Sequence, residues 1–399
     1  MTIFSAVSAA PADPILGLTE KFLADSRPDK VNLGVGAYTD ESGRLPLLTC
    51  VAEAERRLAA NLRPRPYLPI DGLKDFITAS QSLIFGDDSD AVRQGRLVTA
   101  QSLAGTGGLR LGAAMLHHAN PAATVLVSDP TWANHIGIFE SAGFQVGKYR
   151  YYDRQTSAVD FDAMTADLEA ATAGTVVVLH ACCHNPTGFD LTEDQHDRII
   201  EICSARGLVP FVDMAYQGFA RSIDEDAYLI RALLASGMSF VVATSYSKTM
   251  SLYGERIGTV SVVCENPDEA QRVRSQLKVI IRTMYSNPPT YGAELVATVL
   301  NDAQLRTQWR GELDQMRDRI KRVRNELVAG LEQRNVARDM GFINQQVGMF
   351  SFCGLTAEEM AKLADDYGIY GTSSGRICVA ALNASNINYV ADAIASVIG

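Results

Sequence analysis

Between about Leu47 and Leu300, short apolar runs alternate with stretches of helical period. The runs lie at 97–100, 124–128, 175–180, 208–213, 240–245 and 258–263. A strand that is apolar throughout, rather than at every second residue, must be covered on both faces. Its alternation with helices argues an α/β fold, with a mainly parallel sheet between helical layers. In such sheets ligands collect beyond the carboxyl ends of the strands. The polar residues that terminate these runs are therefore the first candidates for chemistry.

The run at 240–245 leads into Ser245, Ser247 and Lys248, with Arg256 eight positions further on. A lysine at the end of a buried strand loses its proton more readily, because desolvation disfavours the ammonium. A neutral lysine amine forms a Schiff base with a carbonyl cofactor. Ser245, Ser247 and Arg256 are the donors a phosphate needs. An aldehyde and a phosphate together describe pyridoxal phosphate. That chemistry also needs an anion against the pyridine nitrogen, and Asp213 ends the run at 208–213. Asn185, in the turn after the run at 175–180, and Tyr216 can donate to the phenolate oxygen. Taken singly, Lys248 also reads as a surface lysine, Asp213 as a helix N-cap and Asn185 as part of an ordinary turn. Gly105 and Thr106 open a helical pattern after the run at 97–100, and backbone N–H groups at a helix N-terminus favour an anion. Arg110 stands where a dinucleotide fingerprint needs its last glycine, and there is no phosphate-binding G-x-x-x-x-G-K-[ST] stretch.

With these motifs the chain resembles the class I (fold type I) aminotransferases, in particular the aspartate and aromatic amino acid subgroup. The likeness extends from Ala10-Pro11-Ala12-Asp13-Pro14 to Ser374-Gly375-Arg376, through Val31–Tyr38, Ser128–His135, Asp213–Phe219 and Tyr285–Pro289. It implies that Lys248 carries pyridoxal 5'-phosphate and shuttles the substrate α-proton. It further implies that Asp213 pairs with the pyridinium, backed by His135, and that Asn185 and Tyr216 bond the phenolate oxygen. Trp132 would stack on the ring. Gly105, Thr106, Ser245, Ser247 and Arg256 would bind phosphate, joined by Tyr67 from a partner subunit. Arg376 would hold the substrate α-carboxylate beside Gly36, and Arg282 of the partner subunit would hold a distal carboxylate. Met284, Tyr291 and Val347 stand where the subgroup commonly has asparagine, histidine and arginine.

The resemblance implies three parts: an arm at 1–14 docking on a partner subunit, a small α+β domain from 15–46 and 316–399, and a large cofactor-binding domain at 47–315. Leu305, Trp309, Leu313, Met316, Ile320, Val323, Leu327 and Leu331 recur every three or four residues, which predicts one long amphipathic helix. The 399 residues carry a net charge of −10, unsuited to a nucleic-acid surface or an anionic membrane. No apolar run approaches the roughly 20 residues of a membrane span. Seven scattered cysteines and no visible signal peptide fit reduced thiols in a cytoplasm. Cys182-Cys183-His184 lacks the spacing of a zinc site, and no metal is expected. The implied reaction is a ping-pong transamination of aspartate, phenylalanine or tyrosine with 2-oxoglutarate, carried out by a homodimer with shared sites. A different pyridoxal enzyme on the same scaffold, such as a β-lyase, and a ligand-sensing module remain as other readings.

Overall fold

A computed structural model describes residues 2–9 and 16–399. Its centre is a seven-stranded sheet made of β1 (Leu97–Leu103), β2 (Thr124–Asp129), β3 (Gln145–Arg150), β4 (Val176–His180), β5 (Val209–Met214), β6 (Phe240–Ser245) and β7 (Ile257–Val263). The spatial order is β1-β7-β6-β5-β4-β2-β3. All six apolar runs are strands. The seventh, β3, lies outside these runs. Its sequence Gln-Val-Gly-Lys-Tyr-Arg pairs with β2 alone, at the sheet edge, where only Tyr149 is buried. An edge strand needs no continuous apolar run, so nothing in its pattern marks it.

The sheet is parallel except for β7, which runs antiparallel to both β1 and β6. This reversal brings the start of β7, next to Arg256, to the same edge as the carboxyl ends of β1, β4, β5 and β6. Helix α1 (Ala104–Ala119) follows β1 directly and crosses the sheet at close range. A Cβ on Gly112 would lie 2.5 Å from the Phe211 ring, and one on Gly108 would lie 2.8 Å from the Thr259 carbonyl oxygen. The glycines let α1 sit low on the sheet and aim its first turn at that edge.

The periodic segment forms one helix, α2 (Ala303–Gln333), capped by Asp302, whose carboxylate accepts from the amides of Gln304 and Leu305. All eight of its predicted apolar positions are buried. The helix also steadies the lysine turn, because Trp309 Nε1 donates to the Thr249 carbonyl at 2.7 Å. Beyond α2, Phe350–Phe352 pairs antiparallel with Arg376–Cys378, and Val31–Asn32 pairs with Ile369–Tyr370, joining the early and late parts of the chain. No described helix is long and apolar enough to cross a membrane. Of the arm at 1–14, residues 2–9 are exposed, and residues 1 and 10–14 lie outside the described residues.

Candidate active site

One cavity opens where the strands end. Gly36, Gly105, Thr106, Trp132, Asn185, Asp213, Tyr216, Ser245, Ser247, Lys248 and Arg256 all line it. Most arrive on five elements: Trp132 after β2, Asn185 after β4, Asp213 on β5 and Tyr216 just after it, Ser245 on β6 and Lys248 just after it, and Gly105 and Thr106 on the first turn of α1.

Asp213 is buried at the floor. Its Oδ2 lies 2.9 Å from His135 Nε2, and His135 Nδ1 is held at 2.8 Å by Thr131 Oγ1. Its Oδ1 is buried with no partner among the described residues. Burial alone would raise the Asp213 pKa. The hydrogen bond and charge of His135, with Lys248 adding, outweigh it and hold the group below its ordinary value as a carboxylate. An unpaired, buried carboxylate oxygen favours a bound cationic N–H donor.

Lys248 Nζ sits 5.1 Å from the centre of the Tyr216 ring. Burial lowers its pKa; Asp213 opposes that shift and Arg256 reinforces it. The neutral amine is thereby made more accessible. Burial raises the Tyr216 pKa, so its phenol stays protonated and able to donate.

The anion cradle is assembled from two directions. Ser245 Oγ lies 3.1 Å from Ser247 Oγ, and Arg256 Nη1 donates to Ser247 Oγ at 3.4 Å and to the Tyr253 carbonyl at 2.9 Å. Arg256 has a left-handed backbone, φ 54°, which turns the chain into β7 while its side chain faces the serines. The first turn of α1 faces the same space, with Gly105 Cα close enough that an added Cβ would lie 3.4 Å from Ser245 Cβ.

Arg376 adjoins this cavity. Its Nη1 donates to Asn185 Oδ1 at 3.2 Å and its Nη2 to the Gly34 carbonyl at 2.6 Å, while Nε is buried without a partner. The guanidinium lies 4.3 Å over the Phe350 ring. Tyr67 and Arg282 lie elsewhere. Tyr67 is 89% exposed. Arg282 is exposed near the end of helix Pro267–Met284 and donates to Ser286 Oγ. Neither reaches the cavity of its own chain.

His180 and Tyr253 also line the cavity, and sequence reasoning gave them no part in it. His180 pairs in register with Asp213, one strand over, and its place at the end of the run at 175–180 is the signal that the sequence offers. Burial drives its pKa down to about 3, so the ring is neutral. Val347 is half-buried against a second cavity behind the Asn185 turn, beside Asp190 and Asp226, and does not enter the first. Met284 is exposed on the surface. Tyr291 lies under the Arg65 guanidinium at 5.1 Å.

Residues 28–394 match the family model described as Aminotransferase class I and II. The chain is 50% identical over 398 residues to the aspartate aminotransferase of Pseudomonas aeruginosa, covering 100% of both. It is 47% identical to the aromatic-amino-acid aminotransferase of Escherichia coli, over 99% of this chain and 100% of the relative. The crystal structure of the aromatic-amino-acid aminotransferase from Burkholderia pseudomallei, covalently bound to pyridoxal phosphate, superposes with a TM-score of 0.97 at 53% identity, covering 100% of each chain.

Proposed function

This chain belongs to the aminotransferase class I and II family, and from that membership we propose a pyridoxal 5'-phosphate-dependent aminotransferase acting on aspartate and on the aromatic amino acids, with 2-oxoglutarate as acceptor. The observation that carries the reading is the buried, unpaired Oδ1 of Asp213 in the same cavity as Lys248. Those two groups answer the two ends of one cofactor, a ring nitrogen that must stay protonated and a carbonyl that needs an amine.

When bound, pyridoxal phosphate supplies a carbonyl that condenses with amines and a protonated ring that accepts the electron pair released at the substrate α-carbon. Asp213 keeps the ring proton in place, and His135 and Thr131 keep Asp213 in place. Asn185 and Tyr216 donate to the phenolate oxygen, and Trp132 covers the ring. Ser245, Ser247, Arg256, Gly105 and Thr106 hold the phosphate. Lys248, freed as an amine when the substrate amine takes its place, would take the α-proton and deliver it to the carbonyl carbon of the cofactor, two bonds away. Arg376, beside Gly36, holds the α-carboxylate. Water would release a keto acid while the amino group stays with the cofactor, and a second keto acid would take that group up by the same steps in reverse.

Arg282 and Tyr67 serve a neighbouring copy in this reading, so the enzyme is a homodimer with shared sites. Its support is that both side chains are exposed and remote from their own cavity. Ile3, Phe4 and Val7 of the arm also present apolar surface. Sedimentation decides this: a fully active monomer would overturn it. We retain the division into a small domain from 15–46 and 316–399 and a large domain at 47–315, to be checked by limited proteolysis, and a cytoplasmic location, to be checked by fractionation.

The deciding experiment is a half-reaction. Purified holoenzyme is reduced with borohydride, and the cofactor label should map to Lys248 by peptide mass spectrometry and be absent in Lys248→Ala. Unreduced holoenzyme mixed with aspartate or phenylalanine should give the matching keto acid. A label on another lysine, or ammonia with no matching keto acid, would refute the assignment.

A further inference from the structure

The segment Gly34–Tyr38 forms a strap along the cavity, with Gly36 in its wall. At one end, Arg376 Nη2 donates to the Gly34 carbonyl at 2.6 Å. Inside it, the Ala37 amide donates to the Val35 carbonyl at 3.0 Å, and Cys378 Sγ lies 3.5 Å from the Ala37 carbonyl oxygen. Just beyond its other end, the Thr39 amide donates to the Ala380 carbonyl at 3.2 Å. These outside anchors all come from residues 376–380. Asn32 Oδ1 accepts from the Gly34 and Val35 amides at 3.0 and 3.4 Å, the Arg319 guanidinium lies 5.3 Å from the centre of the Tyr38 ring, and a further contact comes from the cavity lining. The Tyr38 amide donates to the Tyr253 hydroxyl at 2.9 Å. Tyr253 also lines the cavity, and its backbone carbonyl accepts from Arg256 Nη1 at 2.9 Å.

From this juxtaposition we propose that Tyr253 is a positioning residue, which ties the substrate strap to the phosphate cradle through its hydroxyl. The inference rests on the reading of the cavity given above, with phosphate at Arg256 and a substrate carboxylate at Arg376. One residue holds the phosphate arginine with its main chain and the strap with its phenol. Anything that orders Arg256 therefore steadies the Tyr253 backbone and, through the ring, the amide of Tyr38. Gly36 has little room to wander in the other direction, because a Cβ there would lie 2.7 Å from Phe350 Cζ. The strap is thus confined between Phe350 and the Tyr253 tether. The phenol accepts from Tyr38 and keeps its own proton, since burial raises its pKa.

Tyr253→Phe removes the tether alone. The ring stays, and so does the carbonyl that holds Arg256. In holoenzyme, hydrogen exchange of the Tyr38 amide should quicken by about 5-fold or more, the loss of one ordinary hydrogen bond. Binding of succinate, an unreactive dicarboxylate, should weaken by roughly 3- to 10-fold in calorimetry on the same scale. KM for aspartate and phenylalanine should rise by a common factor, with kcat and cofactor affinity each within about 2-fold of wild type. Unchanged Tyr38 exchange, or a fall in cofactor affinity or melting temperature that accounts for the whole loss, would overturn the proposal. If wild-type protein bound the cofactor but transaminated nothing, the proposed function would fail, while the exchange measurement would still decide the tether.

Discussion

Replacing Arg376 by lysine keeps the charge and removes the fork, which makes it the sharpest test of substrate binding. Arg376 is 4% exposed. It has five N–H donors. Nη2 uses one on the Gly34 carbonyl and Nη1 one on Asn185 Oδ1, while Nε has no partner among the described residues. Three donors are left, enough for a planar carboxylate to be held by two parallel bonds. A lysine brings three donors on a tetrahedral nitrogen. Gly34 and Asn185 remain its nearest acceptors, so about one donor is left for substrate. One hydrogen bond to a charged group contributes about 1.5–3 kcal/mol, which corresponds to about 10- to 200-fold in kcat/KM. The loss should be the same for aspartate, glutamate and phenylalanine, because each carries the α-carboxylate. The assay is kcat/KM for all three in the wild type and Arg376→Lys, with circular dichroism to verify folding. A loss confined to the dicarboxylic substrates, or one below about 3-fold for every substrate, would refute the assignment of Arg376.

Arg282→Leu separates the second carboxylate. Aspartate and glutamate should lose about 10- to 100-fold in kcat/KM through a missing charged partner, while phenylalanine is spared or improved; equal losses would make Arg282 a structural residue. His196 tests the electrostatics away from the site. It is buried, its Nδ1 has no partner, and burial pushes its pKa down to about 4. Its folded pKa lies below the unfolded value of about 6.5, so the unfolded chain binds more protons between those limits. Stability should therefore fall as pH drops through that window, by roughly 1.4 kcal/mol per pH unit from this group. His196→Gln should flatten the slope of denaturant-measured stability between pH 6.5 and 4, and an unchanged slope would rule the effect out.

The ending of a strand and the residue that ends it are local matters, and both were legible. Asp213 and Lys248 stand where apolar runs stop, and runs that short, alternating with helical stretches, are buried as covered strands. The long helix followed from period alone, and its predicted face is the buried one. The strand Gln145–Arg150 was not legible, because an edge position asks little of its side chains. The direction of β7 was not legible either. Its residues read the same in both orientations, and only pairing with β1 and β6 selects the one that delivers Arg256 to the serines.

The motifs that named the cofactor residues left their contacts open. Asp213 has its backing from His135, 78 positions away, and a free oxygen that no pattern predicts. Tyr253 touches Tyr38 across 215 positions of chain. Sequence by itself determined the backbone states, the buried faces and the chemical groups, because these depend on neighbours a few residues apart. Tertiary structure alone decided which of those groups face one another, which hydrogen-bond positions stay open and which chain segments share a wall, because pairing register and packing are set between residues that the sequence keeps far apart.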